Sequence, residues 1–234
     1  MTGNDFLKEK RESLGVSVQS ISETCDMSPN IIYCYERGDR QISSIPVKKG
    51  IALFKLLDCD IEEFFDSFYP FRRELEAEYA EWKRKHPRIY DCKALKKRFT
   101  SRISKIKQRN NLTMYEFDRV YSAYRNCIEK QLAGLNVLTD EQYDEFILPL
   151  NSLIRQSLSE LPDNKISQDV LLGIYGTDLS VGDVASLCHV TRQHLGACLD
   201  GRYDIEQIHL SLALRLCILL KLDFRKVFLS NINF

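Results

Sequence analysis

The chain has 234 residues, 33 Lys and Arg against 33 Asp and Glu, and 44% hydrophobic residues, an ordinary globular composition that fills one large or two to three small cores without external staples. The zero net charge hides segregation: residues 1–66 carry 8 basic and 12 acidic side chains (−4), 67–134 carry 17 and 8 (+9), and 135–234 carry 8 and 13 (−5). A polyanion is therefore drawn first to the centre, and an evenly charged surface is excluded.

Phe6 to Leu14 reads as a first helix ended by Gly15. Ser17 caps a second helix running to about Cys25, and Ser28 caps a third running to about Arg37. From Gly50 two further helices follow, and Ile51, Leu53, Phe54, Leu57, Ile61, Phe64 and Phe65 close a five-helix core. Phe71 to Lys85 reads as a charged helix ended before Pro87. Leu75, Tyr79 and Trp82 fall on one stripe that packs on a domain or on a second subunit rather than holding a ligand.

One pattern then recurs three times: an apolar residue, a Ser or Thr, and a Gly 22 positions after the apolar residue. The copies run from Val16 and Ser17 to Gly38, from Leu112 and Thr113 to Gly134, and from Leu179 and Ser180 to Gly201. Ile21, Phe117 and Val184 occupy one shared internal position, and Ile32, Ile128 and Leu195 another. A capped amphipathic helix, a tight turn and a second helix closed by Gly describe a helix-turn-helix. The last copy matches the first without insertion across residues 16–65 at an offset of 163, pairing Cys25 with Cys188, Leu56 with Leu219 and Phe65 with Phe228. The middle copy sits at an offset of 96 and is either a degenerate helix-turn-helix or a set of helices wrapped around the other two.

Six Pro, ten Gly, many 3.6-periodic segments and no long alternation predict an all-α fold. The expected divisions are a helix-turn-helix domain over 1–69, a charged helical linker over 70–96, a basic helical region over 97–162 and a divergent helix-turn-helix domain over 163–234. The eight Cys form no CxxC pair and read as small buried residues of a reducing compartment. No signal-peptide pattern precedes Asp5. The apolar stretch from Ile208 to Leu222 is interrupted by Arg215 and is too short for a bilayer, so a cytoplasmic protein with no membrane partner is expected.

The string VSVQSISETCDMSPNIIYCYERGDRQI, with Tyr35, Glu36 and Gly38 closing the third helix, resembles the lambda-repressor-like, or XRE, helix-turn-helix family. The resemblance implies serial lambda-repressor-like bundles joined by the charged linker, and an ion pair between Arg11 and Glu36. At the same positions the last copy carries Ile174 and Leu199, so both partners became apolar together, as expected if they touch.

The resemblance also implies that each third helix lies in the major groove of double-stranded DNA. Copy one offers Ser28, Asn30, Tyr33, Arg37 and Arg40, with Lys48 and Lys49 nearby; copy two offers Tyr124, Arg125, Asn126 and Lys130; copy three offers Thr191, Arg192, Gln193 and His194. Asn takes adenine and Arg takes guanine in bidentate fashion, while Thr191 caps its helix and holds phosphate. Pro29 and Val18 depart from the family pattern in copy one. The chain carries no Gly-rich phosphate loop, HExxH or GxSxG, so neither an enzyme nor a cofactor or metal site is expected.

The expected function is a sequence-specific transcriptional regulator of prokaryotic or phage type. It acts either as a pseudo-dimer within one chain or as a homodimer across a palindrome. The alternative is a protein-binding inhibitor or adaptor on the same scaffold, similar to anti-CRISPR and other mobile-element proteins, gripping a partner through its acidic domains.

Overall fold

The computed structural model describes residues 2–87, 90–109, 121–123, 125, 126, 128–130, 132–143, 145, 164–175, 177 and 179–232. Among these the protein is all-α, with no strand or sheet and only two isolated bridges. A first unit comprises α1 (Gly3–Ser13), α2 (Val18–Cys25), α3 (Pro29–Glu36), a 3₁₀ turn (Ile42–Ser44), α4 (Val47–Leu56) and α5 (Ile61–Phe68). Helices α6 (Phe71–Lys85) and α7 (Cys92–Arg109) follow. A last unit comprises α8 (Lys165–Tyr175), α9 (Val181–Leu187), α10 (Arg192–Leu199), a 3₁₀ turn (Ile205–Gln207), α11 (Leu210–Leu220) and a π-helical turn (Arg225–Leu229).

Local chemistry sets these boundaries. Thr2 and Asp5 form a capping box at α1, Gly15 ends that helix at φ +64°, and the Ser17 hydroxyl accepts from the Ser20 N–H at 3.0 Å. Ser28 corrects an expectation: it holds the N-cap position of α3, but its hydroxyl makes no capping bond. Pro29 at the first helical position removes one orphan amide and presets φ, so the helix starts without that bond.

The offset of 163 holds in the backbone. Three pairs of equivalent residues adopt positive φ: Asp26 and His189, Gly38 and Gly201, Asp58 and Lys221. Left-handed geometry is costly for residues other than Gly, so its recurrence at Asp26/His189 and Asp58/Lys221 marks one shared chain path. Backbone bonds recur likewise, Arg40 N–H to Cys34 C=O with Tyr203 N–H to Ala197 C=O, and Cys59 N–H to Phe54 C=O with Leu222 N–H to Cys217 C=O. Asp60 and Asp223 each accept the amide three residues on.

Side chains compensate in pairs. Arg11 grips Glu36 through Nε to Oε1 at 2.5 Å and Nη2 to Oε2 at 3.2 Å, while Ile174 and Leu199 are both buried. Arg37 pairs with Asp39 at 2.9 Å across Gly38, and Asp200 pairs with Arg202 at 3.3 Å across Gly201, the same ion pair with its signs exchanged.

The two units meet where each enters its fourth helix. Val47 N–H donates to Ile208 C=O at 2.7 Å, Leu210 N–H donates to Ile45 C=O at 2.9 Å, and Pro46 faces His209 across an antiparallel bridge. At the offset of 163 Pro46 faces its own equivalent, and exchanging the units turns one of the two hydrogen bonds into the other, so the seam has a local two-fold axis, and units of matching chain path around it form a pseudo-two-fold pair. Ile45, Val47, Ile208 and Leu210 are buried, Lys48 pairs with Glu206 at 3.1 Å, and Arg225 pairs with Asp60.

Helix α6 leaves the first unit and straps the last. Leu75 is buried, and Tyr79 and Trp82 are partly buried against the core, so the apolar stripe packs within the chain. Arg215, the charge interrupting the apolar α11, is 7% exposed. It meets Glu78 at 3.4 Å, Glu74 at 3.6 Å, the Leu187 carbonyl at 3.2 Å and the ring face of Phe71.

In the centre, Cys92 N–H bonds to Asn136 C=O and Leu138 N–H to Tyr90 C=O, and α7 buries Cys92, Leu95 and Phe99. Gly134 adopts φ +75°, as Gly38 and Gly201 do. Leu112, Thr113, Phe117 and Tyr124 lie outside the described residues. No helix among the described residues is long and apolar enough to cross a membrane.

Candidate nucleic-acid interface

Helix α3 buries Ile32 and Tyr35 and turns Ser28, Asn30 and Tyr33 outward, with Arg37 and Arg40 exposed beyond it. Tyr33 is 44% exposed, high for a large aromatic side chain. Arg37 is held by Asp39, whose hydrogen bond raises the guanidinium pKa, and it also donates to Cys34 Sγ at 3.7 Å. Among the described residues no carboxylate pairs with the Arg40 guanidinium.

A groove of about 600 Å³ runs from the start of α3 to the seam, lined by Ser28, Ile31, Arg40, Ser44, Lys49 and, from the last unit, His209. Lys49 reaches the Asp26 carboxylate at 3.0 Å and its carbonyl, and Lys48 is engaged by Glu206. Of the four cations expected to meet a phosphate backbone near α3, three are thus already paired with carboxylates.

Helix α10 is better equipped. Thr191 Oγ1 accepts from the His194 N–H at 3.1 Å and caps the helix, as its sequence position predicts. Arg192 and Gln193 are exposed, and among the described residues no carboxylate pairs with Arg192. Its stem passes Gly182 at the start of α9, where an added Cβ would make ordinary contact with Arg192 Cδ at 3.7 Å. His194 is half-buried with its ring edge-on to Tyr203 at 5.0 Å, which limits its reach. At the start of α9 the Ser180 hydroxyl donates to Asp183 Oδ2 at 2.6 Å, so that helix terminus already holds a carboxylate. Helix α2 has no acidic residue in its first turn.

In the centre, Arg125, Asn126 and Lys130 are exposed, and Arg125 pairs with Glu129 at 2.8 Å. Residues 121–123, 125 and 126 are helical, and Tyr124 between them lies outside the described residues. The middle copy has Ser122 and Tyr124 where the end units place a left-handed residue and a Ser or Thr, so the helix-breaking signal of the turn is missing.

Ser44, Tyr203 and His209 join the candidate surface without having been singled out from the sequence. Tyr203 stands 163 residues after Arg40, so the offset itself was a signal for it. His209 reaches the groove beside α3 only through the seam, and no local pattern marks it. Among the described residues no three His, Cys, Asp or Glu side chains gather at a metal-binding distance. Comparison with protein-family models, with curated proteins and with solved structures finds no match to this chain.

Proposed function

We propose that this chain is a sequence-specific double-stranded-DNA-binding regulator of the lambda-repressor-like type, reading DNA with α3 and α10. The observation that carries the reading is the pseudo-two-fold seam at Pro46 and His209, which leaves the polar faces of both third helices exposed. A two-fold relation sets the two helices at equal heights along its axis, the arrangement by which a dimer meets successive major grooves. Arg192 and Gln193 on α10, and Asn30 on α3, are the side chains suited to base edges, by bidentate bonds to guanine and adenine. Tyr33, Arg40, Thr191 and Tyr203 flank them and serve the backbone.

Titration of the full chain against duplex DNA at two salt concentrations tests this. With about four phosphates neutralised, affinity falls roughly a hundredfold between 50 and 200 mM salt. An isotherm that ignores salt, or no binding at all, rejects the reading.

A second reading is favoured by the pairing of Arg37, Lys48 and Lys49 with Asp39, Glu206 and Asp26, which leaves the first unit few free cations. In that case the first unit grips a protein, and the chain acts as an inhibitor or adaptor. Its mark is DNA affinity that survives Asn30→Ala and Tyr33→Ala unchanged while Arg192→Ala abolishes it.

A further inference from the structure

The seam does more than join two similar units. It sets Pro46 against its equivalent His209 between two hydrogen bonds that exchange under the two-fold, and it buries Ile45, Val47, Ile208 and Leu210, so the face by which one such unit would meet a second copy is filled by its own chain. The fit is also asymmetric. A Cβ on Gly50 would fall 2.5 Å from Leu210 Cδ1, whereas the equivalents of these two residues are Ala213 and Val47. A large side chain is thus matched to the smallest residue in one direction only, which specifies a pair of unlike units over a pair of like ones.

The two third helices are unlike as well. Helix α3 presents Ser28, Asn30 and Tyr33 with an N-terminus that no side chain caps, and α10 presents Thr191, Arg192 and Gln193 with Thr191 committed to the cap. Side chains that differ at each matched position form different hydrogen bonds with base edges, so equal half-sites cannot satisfy both helices.

From these observations, and resting on the DNA-binding reading above, we infer that one chain by itself recognises a non-palindromic duplex site of two unlike half-sites at one fixed spacing. Arg192 and Gln193 specify one half, guanine followed by a base with an amide-compatible edge, and Asn30 specifies an adenine in the other. The spacing is fixed because the seam, the Lys48–Glu206 and Arg225–Asp60 ion pairs and the α6 strap hold the two units as a unit pair.

The test is selection of bound duplexes from a random pool with the full chain, followed by titration of the selected site. The expected result is two dissimilar blocks at constant separation, bound by one chain per duplex in native mass spectrometry. Arg192→Ala then relaxes one block alone and Asn30→Ala the other, each by tenfold or more. Both residues are exposed, and circular dichroism with thermal unfolding confirms that the variants fold. Inserting five base pairs between the blocks turns one half-site to the opposite face of the duplex and lowers affinity at least tenfold. An inverted repeat, two chains per site, or tolerance of the insertion overturns this inference while leaving DNA recognition standing. A pool with no enrichment overturns both.

Discussion

Gly50 on α4 and Leu210 at the start of α11 occupy one space: the glycine has no side chain, and the leucine, fully buried, lies where a Cβ would be. Their contact joins the two ends of the chain at the pseudo-two-fold seam. Gly50→Ala gains roughly 1 kcal/mol of helix propensity and loses about 1–3 kcal/mol to overpacking, while Gly50→Val keeps the clash without most of the gain. Urea unfolding is expected to show Gly50→Val as the more destabilised of the two, with a lower midpoint than the unsubstituted chain.

Arg11 and Glu36 lie mostly out of solvent, and their equivalents in the last unit are both apolar. Replacing either one alone strands its partner, at a cost of about 3 kcal/mol. Arg11→Ile combined with Glu36→Leu copies the last unit's solution and is expected to recover most of that loss. A double-mutant cycle by denaturant unfolding measures the coupling, and additive losses would contradict the contact.

Arg215 anchors α6 to the last unit through Glu74, Glu78 and the Leu187 carbonyl. Arg215→Ala leaves two carboxylates facing a buried carbonyl, and the strap loosens. The expected outcome is faster tryptic cleavage after Arg72, Arg73 or the basic residues at 83–85, with a stability loss of about 1–2 kcal/mol, since Glu74 and Glu78 remain partly exposed and Glu78 keeps His189 at 3.1 Å. Protease mapping by mass spectrometry reads the cleavage sites directly.

Burial pushes the Asp60 carboxyl up, but the Glu63 amide and the Arg225 guanidinium outweigh it and hold its pKa below the ordinary value. A carboxylate with a depressed folded pKa contributes stability above its unfolded pKa and loses it as pH falls through the folded one. Between about pH 5 and about pH 3 the unsubstituted chain should therefore lose more stability than Asp60→Asn, as followed by thermal unfolding. Equal acid sensitivity would show that the ion pair to Arg225 contributes little.

Burial also pushes the thiol of Cys188 up to about 12 and those of Cys25 and Cys198 up to about 11. At pH 8 about a thousandth or less of each is thiolate, so alkylation of the folded chain should spare all three. Among the described cysteines, partly exposed Cys34 is expected to react before these three, and peptide mapping after brief iodoacetamide treatment checks the order.

Much of the fold is legible along the chain because it rests on near neighbours. Ser17, Gly15 and Thr191 act on amides within four residues, and the offset of 163 carries the left-handed positions and the Arg11–Glu36 compensation with it. Ser28 escaped the same logic because Pro29 starts the helix without its hydroxyl. In the middle copy a shared Gly134 and shared apolar spacing say nothing of whether a turn separates two helices before Arg125.

Helix type, helix ends and the kinship of the two outer units follow from residue order alone, since caps, glycines and apolar periodicity act over a few residues. How those units meet was settled only by packing. The bridge between Pro46 and His209, the space Gly50 yields to Leu210 and the docking of α6 on Arg215 each join residues distant in sequence, where shape and charge must match without any repeating pattern to announce it. The candidate interface divides along the same line: Asn30 and Arg192 stand out as side chains on a motif, whereas their disposition about one axis belongs to the seam.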